Sequence, residues 1–298
     1  MRRSDVWIHD AAGERAIVSE GYASAPRLSR DGTRVFYLFV RDWWLAAGGW
    51  LTAAADLRSV DLATGKSDTL LSGQSTTAYE ISRDEKEVAF TTTNADGQSQ
   101  IWLAPLDRRT PPRLIVDAGD QVSFGAHGEL IFRSLAEGNA LARIKSDGTG
   151  FERIPTVSLL DKGDVSPDGE WVIIYAPPTS DYLVVDTLAV PIRGGVSKTV
   201  CRGTGSCMAA WSPDGKFFYA GSDGKTSPSF APRTFAIPVP AGKALPDFSV
   251  GGIIDLKRAA ALPGVRTIEG LISPGPDPST YVFTKADSQR NLFRIPLH

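Results

Sequence analysis

The sequence predicts an all-β fold, a β-propeller of six or seven four-stranded blades whose first blade is incomplete at the N-terminus. Three observations predict it. A short turn motif recurs along the chain. Each copy precedes a β-rich run. A second, alternating pattern follows each first one, so the two together supply four strands per repeat.

The turn motif is Ser-x-Asp-Gly. It reads Ser29-Arg30-Asp31-Gly32 before Arg34–Leu38 and Ser82-Arg83-Asp84-Glu85 before Glu87–Phe90. It recurs as Ser166-Pro167-Asp168-Gly169 before Trp171–Tyr175 and as Ser212-Pro213-Asp214-Gly215 before Phe217–Tyr219. Two degenerate copies extend the series: Gly125-Ala126-His127-Gly128, and Ile272-Ser273-Pro274-Gly275 before Tyr281–Phe283. Pro presets φ, Asp bonds its own backbone, and Gly supplies the positive φ that ends the turn. A short turn between β-rich runs is a hairpin. Asp31, Asp84, Asp168 and Asp214 are therefore read as structural turn residues at loop tips, not as a ring of reactive carboxylates. Their steps of 53, 84 and 46 residues correspond to one, two and one blades.

The second pattern is an alternating strand, a turn and a further strand. Copies begin at Leu57, Ile101, Leu141, Leu188, Phe235 and Leu292, and one opens the chain at Val6–Asp10. Period-2 alternation is that of half-buried strands. Inner hairpins number six against seven third-strand copies, so the chain starts inside a blade. Arg15–Ser19 is one candidate to complete the last blade. Alternatively, Val6–Ser19 is half of a seventh blade with inner strands upstream. No segment holds a long 3.6 period, which excludes a helical solenoid, and a sandwich does not predict the repeat. All of residues 1–298 are read as one propeller domain.

Residues Trp211-Ser212-Pro213-Asp214-Gly215-Lys216 with Phe218-Tyr219 resemble the TolB-type, WD-repeat-like propeller repeat of bacteria, and the resemblance covers nearly the whole chain. The stretch from Tyr281-Val282-Phe283 through Gln289–Leu297 resembles a narrower group. There the propeller ends a receptor-like serine/threonine kinase or a winged-helix regulator. That resemblance implies a sensory or docking module in a signalling or envelope protein. It implies no particular chemistry, because this architecture hosts unrelated activities. No kinase motif and no DNA-binding helix-turn-helix is readable.

Composition narrows the function classes. The net charge is −2 and no run of like charges occurs, so the footprint of a nucleic-acid binder is missing. No stretch of apolar residues is long enough to span a membrane. Met1-Arg2-Arg3 is followed by no apolar segment, so no signal peptide is read. The chain as given reads as cytoplasmic, or as periplasmic if it ends a membrane receptor. Only three histidines occur, His9, His127 and His298, and no nucleophile elbow exists. No cofactor and no metal site is expected.

The expected function is recognition of a protein or small ligand without catalysis. The most unusual segment is Arg41–Leu51, with Trp43, Trp44 and Trp50 in a lengthened connection. Such residues suit a binding contact, or the segment folds back over the propeller edge. Cys201 and Cys207 close a small disulfide loop or stay free thiols; their spacing is wrong for a zinc pair. The longer stretches Ser222–Pro232 and Gly251–Pro263 are read as surface loops, the second with helical turns capped by Asp255. The alternative function is a hydrolase or lyase working in the central channel. The inner strands Tyr22–Ser29, Thr76–Ser82 and Cys207–Ser212 offer Arg27, Tyr79 and Glu80 for it.

Overall fold

The computed structural model describes residues 2–40, 55–177, 185–201, 207–222, 232–248, 252 and 259–288. Among them, α-helix is confined to residues 259 and 260, and the rest is strand and turn.

The N-terminal hairpin is β1 (Arg2–Asp10) and β2 (Gly13–Val18). A first group of four follows: β3 (Tyr22–Leu28), β4 (Arg34–Val40), β5 (Asp56–Asp61) and β6 (Ser67–Leu71). Four separate four-stranded sheets come next. They are β7 (Thr76–Ile81) to β10 (Arg113–Val116), and β11 (Gly119–Phe124) to β14 (Glu152–Arg153). The last two are β15 (Asp161–Val165) to β18 (Lys198–Cys201), and β19 (Cys207–Trp211) to β22 (Arg266–Glu269). The chain then adds β23 (Ser273–Pro274) and β24 (Tyr281–Ser288). Each separate sheet is a simple antiparallel meander in sequence order.

The first and last segments of the chain share a sheet. β1 pairs antiparallel with β24 in unbroken register from Arg2↔Ser288 to His9↔Tyr281, and β2 pairs with β1. The order β23-β24-β1-β2 is thus a composite group of four. A single parallel bridge, Ser4↔Tyr22, joins it to β3. The strand Val6–Asp10, unaccounted for in the sequence, takes the third position of this group. It pairs with β24, which in turn pairs with β23. The third-strand copy expected at Leu292 lies outside the described residues.

The second strands β4 and β16 read as continuous apolar runs because both of their faces are buried. In β4, Phe36, Leu38 and Val40 pack with Tyr79, Val88 and Phe90 of the following sheet. The alternate residues Val35, Tyr37 and Phe39 pack with Val6, Ile8 and Val282 of the composite group. The same relay continues: Ile101 and Leu103 against Leu130 and Phe132, Ile131 against Val172 and Ile174, and Ile173 against Phe218 and Phe235. Tyr219 and Ile268 against Ile272 and Tyr281 complete it. Every sheet face therefore buries its apolar side chains on the next sheet, and the composite group closes the circuit.

The turn motif has a fixed hydrogen-bond scheme, and its serine is as necessary as its aspartate. Ser29 Oγ donates to Asp31 Oδ1 at 2.7 Å and accepts from the Arg34 N–H at 2.8 Å. Ser82 with Asp84 and Ser212 with Asp214 repeat it at 2.8 and 2.7 Å, and Ser166 with Asp168 makes the same bond. The serine hydroxyls hold the carboxyls of Asp31 and Asp84 below the usual carboxylate range. Asp31 is lowered to about 2, chiefly by the Ser29 hydroxyl. Glu85 stands where three copies have Gly and keeps the positive φ of that place, 53°. Its carboxylate links neighbouring groups by accepting from the Arg30 N–H at 2.6 Å and pairing with Arg34 at 3.0 Å.

The last copy of the motif is shifted by two residues from the sequence reading. The Gly275 N–H bonds the Thr280 carbonyl, as the Ser29 N–H bonds Arg34. Asp277 Oδ1 accepts from the Ser279 N–H at 2.7 Å, so the turn is Gly275-Pro276-Asp277 and Ser273-Pro274 belongs to the strand before it.

Candidate functional site in the axial cavity

Strands β3, β7, β11, β15, β19 and β23 converge on one cavity of about 210 Å³. Arg27, Glu80, Ser123, Asp164, Trp211 and Ser273, one from each strand, all line it. The side chains reach it by register. Arg27, Glu80 and Asp164 each lie two places before a turn serine, and Ser123 and Ser273 lie two places before Gly125 and Gly275, which take the serine's place. Period 2 then aims all five at the same side of their strands. Bulges between Ser24 and Arg27, Asp120 and Ser123, and Lys162 and Val165 adjust that aim.

A charged cluster forms the wall. Arg27 Nη2 stands 3.1 Å from Asp164 Oδ1 and 3.2 Å from Glu80 Oε2, so one guanidinium joins carboxylates from two other strands. Glu80 and Asp164 hold Arg27 protonated more firmly than a free arginine. Burial pushes the Glu80 carboxyl up, against the opposing pull of Arg27. Lys162 is nearly enclosed, 7% exposed. Its Nζ donates to Ser123 Oγ at 2.7 Å and to the Gly163 carbonyl at 2.8 Å. Burial lowers its pKa to about 8, with Asp164 and Glu80 opposing. Tyr79 is committed elsewhere: its hydroxyl donates to the Ala25 carbonyl at 2.7 Å, and burial raises its pKa.

Of the residues singled out in the sequence, Arg27 and Glu80 meet in this site. Lys162, Asp164 and Ser123 were missed. The signal was present, since Asp164 precedes Ser166 by the same two residues that separate Arg27 from Ser29 and Glu80 from Ser82. The aspartates of the turn motif lie outside the cavity lining. Trp43, Trp44 and Trp50 fall in the connection between β4 and β5, and Asp255 in that between β21 and β22; all four lie outside the described residues. Cys201 and Cys207 are bonded as a disulfide with Cα atoms 6.2 Å apart, both buried, at the junction of β18 and β19. His9 stacks on Tyr281 in the composite group, centroids 4.8 Å apart. His127 lies in a turn, where its N–H bonds Glu129. Among the described residues, no group of three or more His, Cys, Asp or Glu could hold a metal ion. No helix among them is long and apolar enough to cross a membrane.

No family model and no curated protein matches the sequence. Solved structures do. A structure described as TolB from Agrobacterium tumefaciens aligns with a TM-score of 0.66 at 16% identity, over 97% of this chain and 100% of that one. TolB from Acinetobacter baumannii aligns with a TM-score of 0.60 at 15% identity, over 79% of this chain and 61% of that one. The fold is that of a TolB-type β-propeller. The chain thus spans less than two thirds of the Acinetobacter protein. The TolB-type scaffold is shared with proteins that perform chemistry. An oligogalacturonate lyase in complex with manganese aligns with a TM-score of 0.56 at 14% identity, over 78% of this chain and 67% of that one. Puromycin hydrolase aligns at 0.54 and 11% identity, over 76% of this chain and 38% of that one. At such identities the likeness carries the fold and not the activity.

Proposed function

We propose that this chain is a six-bladed TolB-type propeller acting as a recognition module, whose ligand- or protein-binding site is the axial cavity. The observation that carries the reading is the pairing in the cavity wall and directly behind it. Arg27 is spent on Glu80 and Asp164, and Lys162 on Ser123 and Gly163. A cluster whose charges are paired with one another forms a preorganised polar wall against which a ligand can be oriented. Loops and strand ends at the axis of a rigid scaffold are also where recognition residues gather. A role as the sensory or docking end of a larger bacterial protein belongs to this reading.

One observation favours a second reading, a hydrolase acting in the channel. Ser123 Oγ and Lys162 Nζ lie at 2.7 Å, the separation of a nucleophile and its base, and the Gly163 carbonyl orients the amine. A fluorophosphonate probe decides between the two. Mass spectrometry of the labelled protein should find Ser123 unmodified if the module only binds. An adduct on Ser123 that vanishes in Lys162→Met would overturn the binding reading in favour of acyl transfer.

A further inference from the structure

The rim of the axial cavity is electrically lopsided. The residue that follows the turn serine, or the glycine in its place, is Arg30 in the first group and Arg83 in the second. In the next three groups it is Ala126, Pro167 and Pro213. All five line the cavity. Both arginines are exposed, and neither guanidinium has an ion-pair partner among the described residues. The other charges of the cavity lining are already engaged: Arg27 with Glu80 and Asp164, and Glu85 with Arg34 and the Arg30 N–H. One arc of the mouth thus presents two uncommitted guanidinium forks. The opposite arc presents the stiff, apolar rings of Pro167 and Pro213 and an edge of the largely buried Trp211.

We propose that the cavity takes a small organic anion, a carboxylate or phosphate on a flat apolar body. The anionic group sits on Arg30 and Arg83, and the body lies towards Pro167, Pro213 and Trp211. Arginine forks match the planar oxygens of a carboxylate and the oxygens of a phosphate with two parallel hydrogen bonds. The space suffices. Roughly 150 Å³ of apolar cavity admits benzene, and this one measures about 210 Å³. Glu80 and Asp164, held by Arg27 below the rim, disfavour a second negative group deeper in, so the anion stays at the mouth. The proposal rests on the reading of the cavity as a recognition site and names its ligand class.

The test is isothermal titration of the full chain at low salt with benzoate, phenyl phosphate, inorganic phosphate and benzamide. Benzoate or phenyl phosphate should bind, and benzamide and inorganic phosphate should not. A preference between the two aromatic anions assigns the head group as carboxylate or phosphate. The double variant Arg30→Ala/Arg83→Ala should weaken binding by about tenfold or more, and Arg30→Lys/Arg83→Lys should restore part of it. Both side chains are exposed, so these variants fold. Equal binding of benzamide and benzoate, inorganic phosphate binding as tightly as phenyl phosphate, or no binding of either aromatic anion would overturn the inference. If a neutral or cationic compound then bound the cavity and was lost in Asp164→Asn, the recognition reading would stand while the anion proposal fell.

Discussion

Arg27 and Asp164 are separated by 137 residues in the chain and by 3.1 Å in space, and the same guanidinium nitrogen lies 3.2 Å from Glu80. Three strands from three sheets are therefore tied at the axis by one side chain. Its exposure is partial, so the tie is worth less than a fully enclosed ion pair.

Replacing Arg27 by Ala leaves two carboxylates facing each other without their cation. The expected cost at pH 7 is about 1–2 kcal/mol, between the values for exposed and for buried pairs. Without the guanidinium, the folded-state pKa of Glu80 moves further above its unfolded value. Such a group loses stability as pH rises through the window between the two values. Urea unfolding should accordingly show the variant closest to wild type below about pH 4 and increasingly deficient towards neutrality. A deficit independent of pH would contradict this account.

Lys162 titrates in the opposite sense. Its folded pKa is lowered to about 8, so above that pH the unfolded chain holds more protons than the folded one, and stability rises. The charged groups around it are Asp164, Glu80, Arg27 and Asp161. The stability difference between wild type and Lys162→Gln should grow between pH 8 and 9.5 by up to about 1.4 kcal/mol per pH unit. Parallel stability curves over that range would show an ordinary, unperturbed amine.

The turn serines are buried, Ser212 completely, so the loss of their hydrogen bonds is not made good by water. Ser212 Oγ donates to Asp214 and accepts from the Phe217 N–H at 3.0 Å. Ser212→Ala leaves that N–H without its partner, at a cost of about 1–2 kcal/mol. The effect should read out as a lower denaturant midpoint with unchanged slope.

The sequence made most of the fold legible because the repeat is local. A turn motif and a period-2 strand are each read within ten residues. The pairing of β1 with β24 joins the two ends of the chain, and no local pattern announces it. The shifted turn at Gly275-Pro276-Asp277 was hidden because Ser273-Pro274-x-x imitates the motif two residues early, whereas the hydrogen bond from Gly275 to Thr280 decides the true register. Arg27 and Glu80 were legible as reactive types on recognised inner strands. Asp164 was legible only through its two-residue spacing to Ser166, and Lys162 not at all, because the strand that carries them, Asp161-Lys162-Gly163-Asp164-Val165, has three charges and a glycine and does not read as a strand.

The closing hairpin gives a further prediction. Ile8 is 1% exposed and packs with Val282 and Val35. Lys285 caps the same junction, with its Nζ 3.8 Å over the Trp7 ring and an ion pair to Glu14. Ile8→Ala should cost about 2–5 kcal/mol, and deleting residues 1–18 should abolish the cooperative thermal transition. Adding a synthetic peptide of those residues should restore it in a concentration-dependent way. A truncated chain that melts like wild type would mean that the circuit of sheets closes without this hairpin.

The central claim is that the axial cavity recognises a ligand and leaves it unchanged. The measurement that bears on it most directly is thermal unfolding of wild type and Asp164→Asn against a library of charged small molecules, with each compound recovered and weighed by mass spectrometry. The account predicts compounds that raise the wild-type transition, lose that effect in the variant, and return intact. Compounds that stabilise both proteins equally would place recognition elsewhere, and a compound returned chemically altered by wild type alone would contradict the claim outright.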